Sequence, residues 1–171
     1  MKTSVKFFAL GLLLLGFAGT VNAQVSATAT STATIVTPIA IERVTNMNFG
    51  NVAVNASGGT VILSPESTRT FTGGITLPVV TGTVTAASFN VSGQADYTYS
   101  ISLPSSVTLT RATGTETMEV DHFSSTPTPT GKLSGAGAQV LNVGGTLNVT
   151  GSQVAGVYTS LTPFTVTVNY N

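Results

Sequence analysis

The chain has 171 residues, no Cys, no Trp, one His, and only 7% charged side chains, six of each sign. Without Cys there is no disulfide, no thiol chemistry and no Cys-based metal site. With no basic stripe to neutralise phosphates or to meet anionic lipid, nucleic acid and charged membrane surfaces drop out as partners.

Lys2 and Lys6 open the chain, and residues 7–19 form a nearly unbroken apolar run, followed by the small, polar stretch Val21, Asn22, Ala23. A cationic start, a short apolar core and small residues at a cleavage position describe a secretory signal. The run is shorter than the roughly 20 residues needed to span a bilayer, so residues 1–23 are expected to be a cleavable leader and not an anchor. With no Cys to acylate, a lipoprotein is excluded. The mature chain then begins at Gln24 and is expected in the periplasm, on the outer surface or outside the cell, with no membrane span left. Losing Lys2 and Lys6 leaves four basic and six acidic side chains, a net charge of −2. Its solubility must therefore rest on hydroxyls and amides. Thr, with 31 copies, is a β-branched residue suited to a half-exposed pleated surface.

Residues 24–34 alternate in small apolar and hydroxyl side chains. Val25, Ala27, Ala29, Ala33 and the following Ile35 share one side of an extended strand, while Ser or Thr occupies 26, 28, 30, 32 and 34. Such a segment is a candidate donor strand that completes a neighbour's sheet; a Thr-rich tether or the domain's own first strand fits the same pattern. Beyond it, period-2 alternation predicts strands over 35–44, 47–54, 60–63, 68–72, 83–92, 97–103, 107–111, 117–123, 139–149 and 164–170. Clusters of Gly, Pro, Asn and Ser separate them, including 55–59, Gly73-Gly74 and 124–131; Gly144-Gly145 reads as a hairpin turn. Two prolines at 127 and 129 make 126–130 an extended polar loop. Short strands at this spacing predict a single all-β domain over 35–171, an antiparallel immunoglobulin-like β-sandwich. In the last strand, Phe164, Val166, Val168 and Tyr170 share one face; Tyr97 and Tyr99 fall with Ile101 and Leu103 on a face expected to be core.

Residues suited to chemistry are few. The one histidine, His122, stands at the expected end of a strand beside Phe123, with Glu119 and Asp121 in the same strand. A Ser–His–Asp relay needs groups converging from several elements. Two carboxylates on one strand face supply few of the six to eight oxygens a Ca²⁺ ion takes. No catalytic residue, metal or cofactor is assigned, and the chain is not expected to be an enzyme.

Several runs in order carry a family likeness: 33–41 (ATIVTPIAI), 47–50 (MNFG), 89–93 (FNVSG), 99–104 (YSISLP), 141–147 (LNVGGTL), and Gly156 to Tyr158 followed by 164–170 (FTVTVNY). Together they resemble domain-of-unknown-function family 4402, exported bacterial proteins for which the resemblance implies no activity and no catalytic residues. A looser likeness is to pilin subunits of the chaperone–usher type, which end in an alternating strand with a penultimate Tyr and carry a Gly about one strand and turn earlier. Here those positions are Tyr170 and Gly156. That likeness implies a candidate C-terminal assembly strand (Gly156, Phe164, Val166, Val168, Tyr170) and a periplasmic chaperone pairing with 164–170. The chain departs from it in lacking a disulfide and in placing Ala at 27 and 29, where bulkier residues are usual. The expected function is an exported structural or adhesive subunit, fimbrial in type and assembled with copies of itself by N-terminal strand exchange. A monomeric carbohydrate-binding module or small hydrolase acting on surface polysaccharide is the alternative.

Overall fold

Alternating Val and Thr favour an extended backbone, because one face of each run can be buried while the other keeps its hydroxyls in water. The computed structural model describes residues 23–171; the expected leader, except Ala23, lies outside the described residues. Residues 23–34 belong to no strand and are exposed throughout. A separate β unit runs from Ile35 to Asn171.

Among the described residues there are eleven strands. They are β1 (Ala40–Thr45), β2 (Ala53–Leu63), β3 (Arg69–Thr76), β4 (Ala87–Ser92), β5 (Thr98–Ser102) and β6 (Ser106–Arg111). Then follow β7 (Thr117–Thr126), β8 (Thr130–Lys132), β9 (Ala138–Val149), β10 (Tyr158–Thr159) and β11 (Thr167–Tyr170). No helix among these residues is long and apolar enough to cross a membrane. Every pairing is antiparallel. The larger sheet runs β1-β4-β9-β7-β6-β10, with β2 joined to β9 and β3 joined to β2; β11-β5-β8 form a second, three-stranded sheet. The chain is an all-β sandwich, as the alternation predicts.

Strand β9 organises the larger sheet. A strand has only two edges, yet β9 pairs with three partners: β4 over 138–143, β2 over 145–149 and β7 over 142–148. Since β7 overlaps both others, β4 and β2 share one edge, end to end, and the handover falls at Gly144. A Cβ there would collide with the Leu63 carbonyl at the end of β2. Gly144-Gly145 is therefore not the hairpin turn its composition suggests. The pair lies mid-strand, where a second backbone approaches too closely for a side chain.

The handover also divides the core. On one side, Val91, Tyr99, Leu133, Leu141 and Val143 are fully buried between the small sheet and β4 with the first half of β9. On the other, Val61, Leu63, Val120 and Leu147 line the inner face of the larger sheet alone. Phe49, Val52, Leu77 and Val84 cover that second core from two loops. Met47 and Phe123 pack against both cores.

Other breaks fall elsewhere than composition suggests, for related reasons. Residues 47–52 and 83–86 are loops joined by an isolated bridge between Asn48 and Thr85, not strand starts. Strand β2 runs through 55–59 as an irregularity in which Asn55 Oδ1 accepts from the Ser57 amide at 2.8 Å. Gly73-Gly74 lies inside β3, and Ser124 to Thr126 inside β7. The expected loop 126–130 shrinks to residues 127–129, because Thr126 ends β7 and Thr130 opens β8.

Candidate functional site

The last strand of the β unit is shorter than its alternation predicts, since only Thr167–Tyr170 form β11 and Phe164 and Val166 precede it, yet the same side of the run is buried. Val166 and Val168 are buried in the first core, with Phe164 and Tyr170 packed against it. The Phe164 and Phe123 rings lie 5.0 Å apart. Through β11 this strand pairs with β5, from Tyr170 opposite Tyr99 to Thr167 opposite Ser102, and its other edge is unpaired among the described residues. Gly156 lies apart from this strand, in the loop before β10, beside the Arg111 side chain.

Tyr170 does more than fill space. Its hydroxyl accepts a hydrogen bond from the Gln94 amide at 2.6 Å and donates one to the Thr37 carbonyl at 2.7 Å. Gln94 Oε1 in turn accepts from the Thr37 amide at 3.2 Å. Gly93 leaves the room, since any side chain there would strike the Tyr170 hydroxyl. Tyr97 meets the Tyr170 ring edge-on, with centroids 5.6 Å apart and planes at 68°. The end of the chain thus clamps the stretch just before β1 at Thr37. Sequence reading singles out Tyr170 but misses Thr37, Gly93 and Gln94; the only trace is a Gly directly after a strand and a Gln in the turn that follows.

The five donor candidates stand clear of any strand. Val25, Ala27, Ala29 and Ala33 are exposed, and Ile35 is 97% exposed. Of the paired tyrosines, Tyr99 is fully buried and its hydroxyl donates to Gln139 Oε1 at 2.8 Å; burial pushes its pKa up. Tyr97 does not join the core as expected. It precedes β5, 44% exposed, beside Asp96.

His122 is not at a strand end but in the middle of β7, at a bulge between Asp121 and Ser124, with φ of 44°. The bulge turns its ring outward and brings Nδ1 to 2.8 Å from Asp121 Oδ1, an oxygen otherwise closed off from solvent. The imidazole of His122 at that distance holds the Asp121 carboxyl below its ordinary range, and Asp121 in turn raises the His122 imidazole. With Glu119, Ser106, Pro104 and Phe123 the pair lines an open depression of about 550 Å³. Among the described residues no three His, Asp or Glu side chains gather as a metal set. Glu119 and Asp121 thus gain no third side-chain ligand of that kind.

A family model described as "Domain of unknown function (DUF4402)" matches residues 39–170. The chain belongs to that family. The DUF4402 match opens one residue before β1 and closes on Tyr170, so it takes in both cores and the clamping tyrosine while leaving 24–38 outside. No curated protein and no solved structure matches the chain.

Proposed function

We propose that this chain is an exported structural or adhesive subunit of the cell surface, fimbrial in type, that joins copies of itself through its N-terminal segment. The observation that carries the proposal is the contrast at Ile35. Before it lies an uncharged, alternating, exposed segment in no strand; after it lies a β unit with its own cores. A segment of that kind gains little by staying free, because its backbone groups are satisfied only by water, whereas pairing along a sheet edge adds hydrogen bonds and buries its apolar side. The free edge of β11 fits a periplasmic chaperone that pairs with 164–170 before assembly.

Gel filtration and unheated denaturing electrophoresis of the chain from Gln24, beside a form lacking 24–35, test this. A ladder of stable multimers that collapses on truncation is expected. A sharp monomer in both samples would sink the polymer.

One observation favours a different class. Tyr97 is 44% exposed and directly follows Asp96 in the chain, an open aromatic ring and a carboxylate of the kinds that stack on and hydrogen-bond a sugar. In that reading the β unit is a saccharide-binding module. A glycan screen with the native chain and Tyr97→Ala decides it, with loss of every signal in the variant expected.

A further inference from the structure

The assembly reading leaves open which edge receives the segment, and the sheet itself discriminates among the candidates. The free outer edges among the described residues belong to β1, β3, β8, β10 and β11. Strands β8, β10 and β11 offer two to four residues each. Strand β1 offers six, but carries Glu42 and Arg43 and is bulged between Arg43 and Thr45. Charges and bulges are the devices by which edge strands repel added strands. Strand β3 has eight residues, Arg-Thr-Phe-Thr-Gly-Gly-Ile-Thr; its pairing with β2 shifts register at Gly73, where φ is 67°, so its regular, uncharged edge is Thr70 to Thr72 with Arg69 turned inward. Its one charge, Arg69, points back to the Phe49 and Asn51 carbonyls.

Two rows of side chains end at this edge as if cut. On the core face the register runs Val107, Val120, Leu147, Val61, Phe71 across β6, β7, β9, β2 and β3. Val120 and Val61 are almost completely buried, but Phe71, last in the row, is 50% exposed. On the outer face the register runs Thr108, Glu119, Asn148, Thr60, Thr72, and the hydroxyls of Thr60 and Thr72 lie 2.8 Å apart. A strand added beside β3 would need small apolar residues toward Phe71 and hydroxyls toward Thr70 and Thr72, with no charge. The segment 24–34 has that pattern: Val25, Ala27, Ala29 and Ala33 on one side, Ser or Thr at positions 26 to 34 on the other. Small Ala side chains, too slight to fill a deep pocket, suit a place beside a large half-covered ring. Cross-strand Thr pairs of this kind are stabilising.

Resting on the assembly reading above, we propose that the outer edge of β3 is the acceptor and that its occupant is the 24–34 segment of a second copy of this chain. The chain has no Cys of its own, so every disulfide joins introduced residues, and a size tag on one partner separates mixed dimers, which report the contact, from dimers of like chains. The chain from Gln24 carrying Thr72→Cys is mixed under mild oxidation with chains carrying Thr28→Cys, Thr30→Cys or Thr32→Cys, and separately Glu42→Cys on β1 replaces Thr72→Cys. Side chains directly opposite on neighbouring strands sit about 4.5–5.5 Å apart, close enough for a disulfide. The expected result is mixed covalent dimers with Thr72→Cys at one or two of the three positions and no mixed dimers with Glu42→Cys. Thr70→Lys, at an exposed site, is expected to cut multimer formation at least tenfold with its thermal midpoint unchanged. Multimers that cross-link through Glu42→Cys and persist with Thr70→Lys would remove β3 as acceptor and leave self-assembly standing. Monomers in every mixture would overturn both.

Discussion

The two cores on either side of Gly144 are closed in different ways. The first is capped by a second sheet, so its cover is hydrogen-bonded strand by strand, and Tyr99 and Leu133 reach complete burial. The second has no opposing sheet among the described residues. Loops 46–52 and 77–86 close it, stitched by the Asn48–Thr85 bridge, by Asn51 Nδ2 donating to the Val80 carbonyl, and by Arg69. A sheet cover draws its stability from many equivalent contacts, whereas a loop cover depends on a few polar pins. The consequence is an uneven molecule: the loop-covered half is expected to open first and ends at the bare β3 edge.

The largest effect should come from removing the pin. One guanidinium nitrogen of Arg69 donates to the Phe49 carbonyl at 2.5 Å and to the Asn51 carbonyl at 3.0 Å, both in the covering loop. Hydrogen bonds from charged donors contribute about 1.5–3 kcal/mol each, so Arg69→Ala is expected to cost about 3 kcal/mol in chemical denaturation. Amide exchange should rise sharply over 46–52 and 77–86 and little in β5, β8 and β11. Equal acceleration in both halves would mean that the two cores open as one unit, and the contrast between covers would fail.

This uneven cover also marks what can be read from sequence. Most strands of the first core follow from alternation, because a sheet facing a sheet imposes period 2 on both sides: 97–103 and 164–170 hold β5 and β11, and 139–149 coincides with β9 within a residue, whereas the three-residue β8, directly after the two prolines, is too short to show a period. The second core mixes strand and loop side chains. Met47 and Phe49 are spaced as in a strand, around Asn48, yet with Val52 and Val84 they are cover. Alternation reports burial on one side and does not report a hydrogen-bonded neighbour. Gly144 misleads for a similar reason: a glycine demanded by close approach has the same letter as one demanded by a turn. The bulge at His122 is hidden because nothing in Asp121-His122-Phe123 departs from strand composition. The Tyr170 clamp joins residues 133 positions apart, and a single sequence carries no trace of such a pairing.

A smaller effect is expected at that clamp, which belongs to the better-covered half. Tyr170→Phe keeps the ring against Tyr97 and removes both hydroxyl bonds. The Thr37 carbonyl can turn to water, so the expected loss is about 1 kcal/mol. Its signature is local: cleavage by a broad-specificity protease between Ile35 and Ala40 should accelerate while the cores stay protected. A variant that loses several times more stability, with exchange rising throughout β5, would show that the hydroxyl supports the small sheet and not the exit of the N-terminal segment.

The smallest effect is one of pH, at the bulge in β7 between the two cores. Pairing with Asp121 raises the His122 imidazole above its ordinary value of about 6.5, and pairing with His122 lowers the Asp121 carboxyl below about 3.9. A raised imidazole contributes stability that is complete below pH ~6.5 and fades as pH climbs through the raised value. A lowered carboxyl contributes stability that is complete above pH ~4 and fades as pH falls through the lowered value. The pair is therefore fully charged between about pH 4 and 6.5. The His122 ring is largely exposed, so solvent screens the interaction and the gain is small. In low salt the thermal midpoint should be slightly higher at pH 6 than at pH 8. His122→Asn should abolish that difference, as should 1 M salt, which shortens the screening length to about 3 Å. This is the chain's one histidine, so no other side chain with an ordinary pKa in that interval competes for the signal. A pH 6 to pH 8 difference that survives His122→Asn would assign it to the α-amino group. In that case the bulge at Asp121 would be a matter of strand geometry alone.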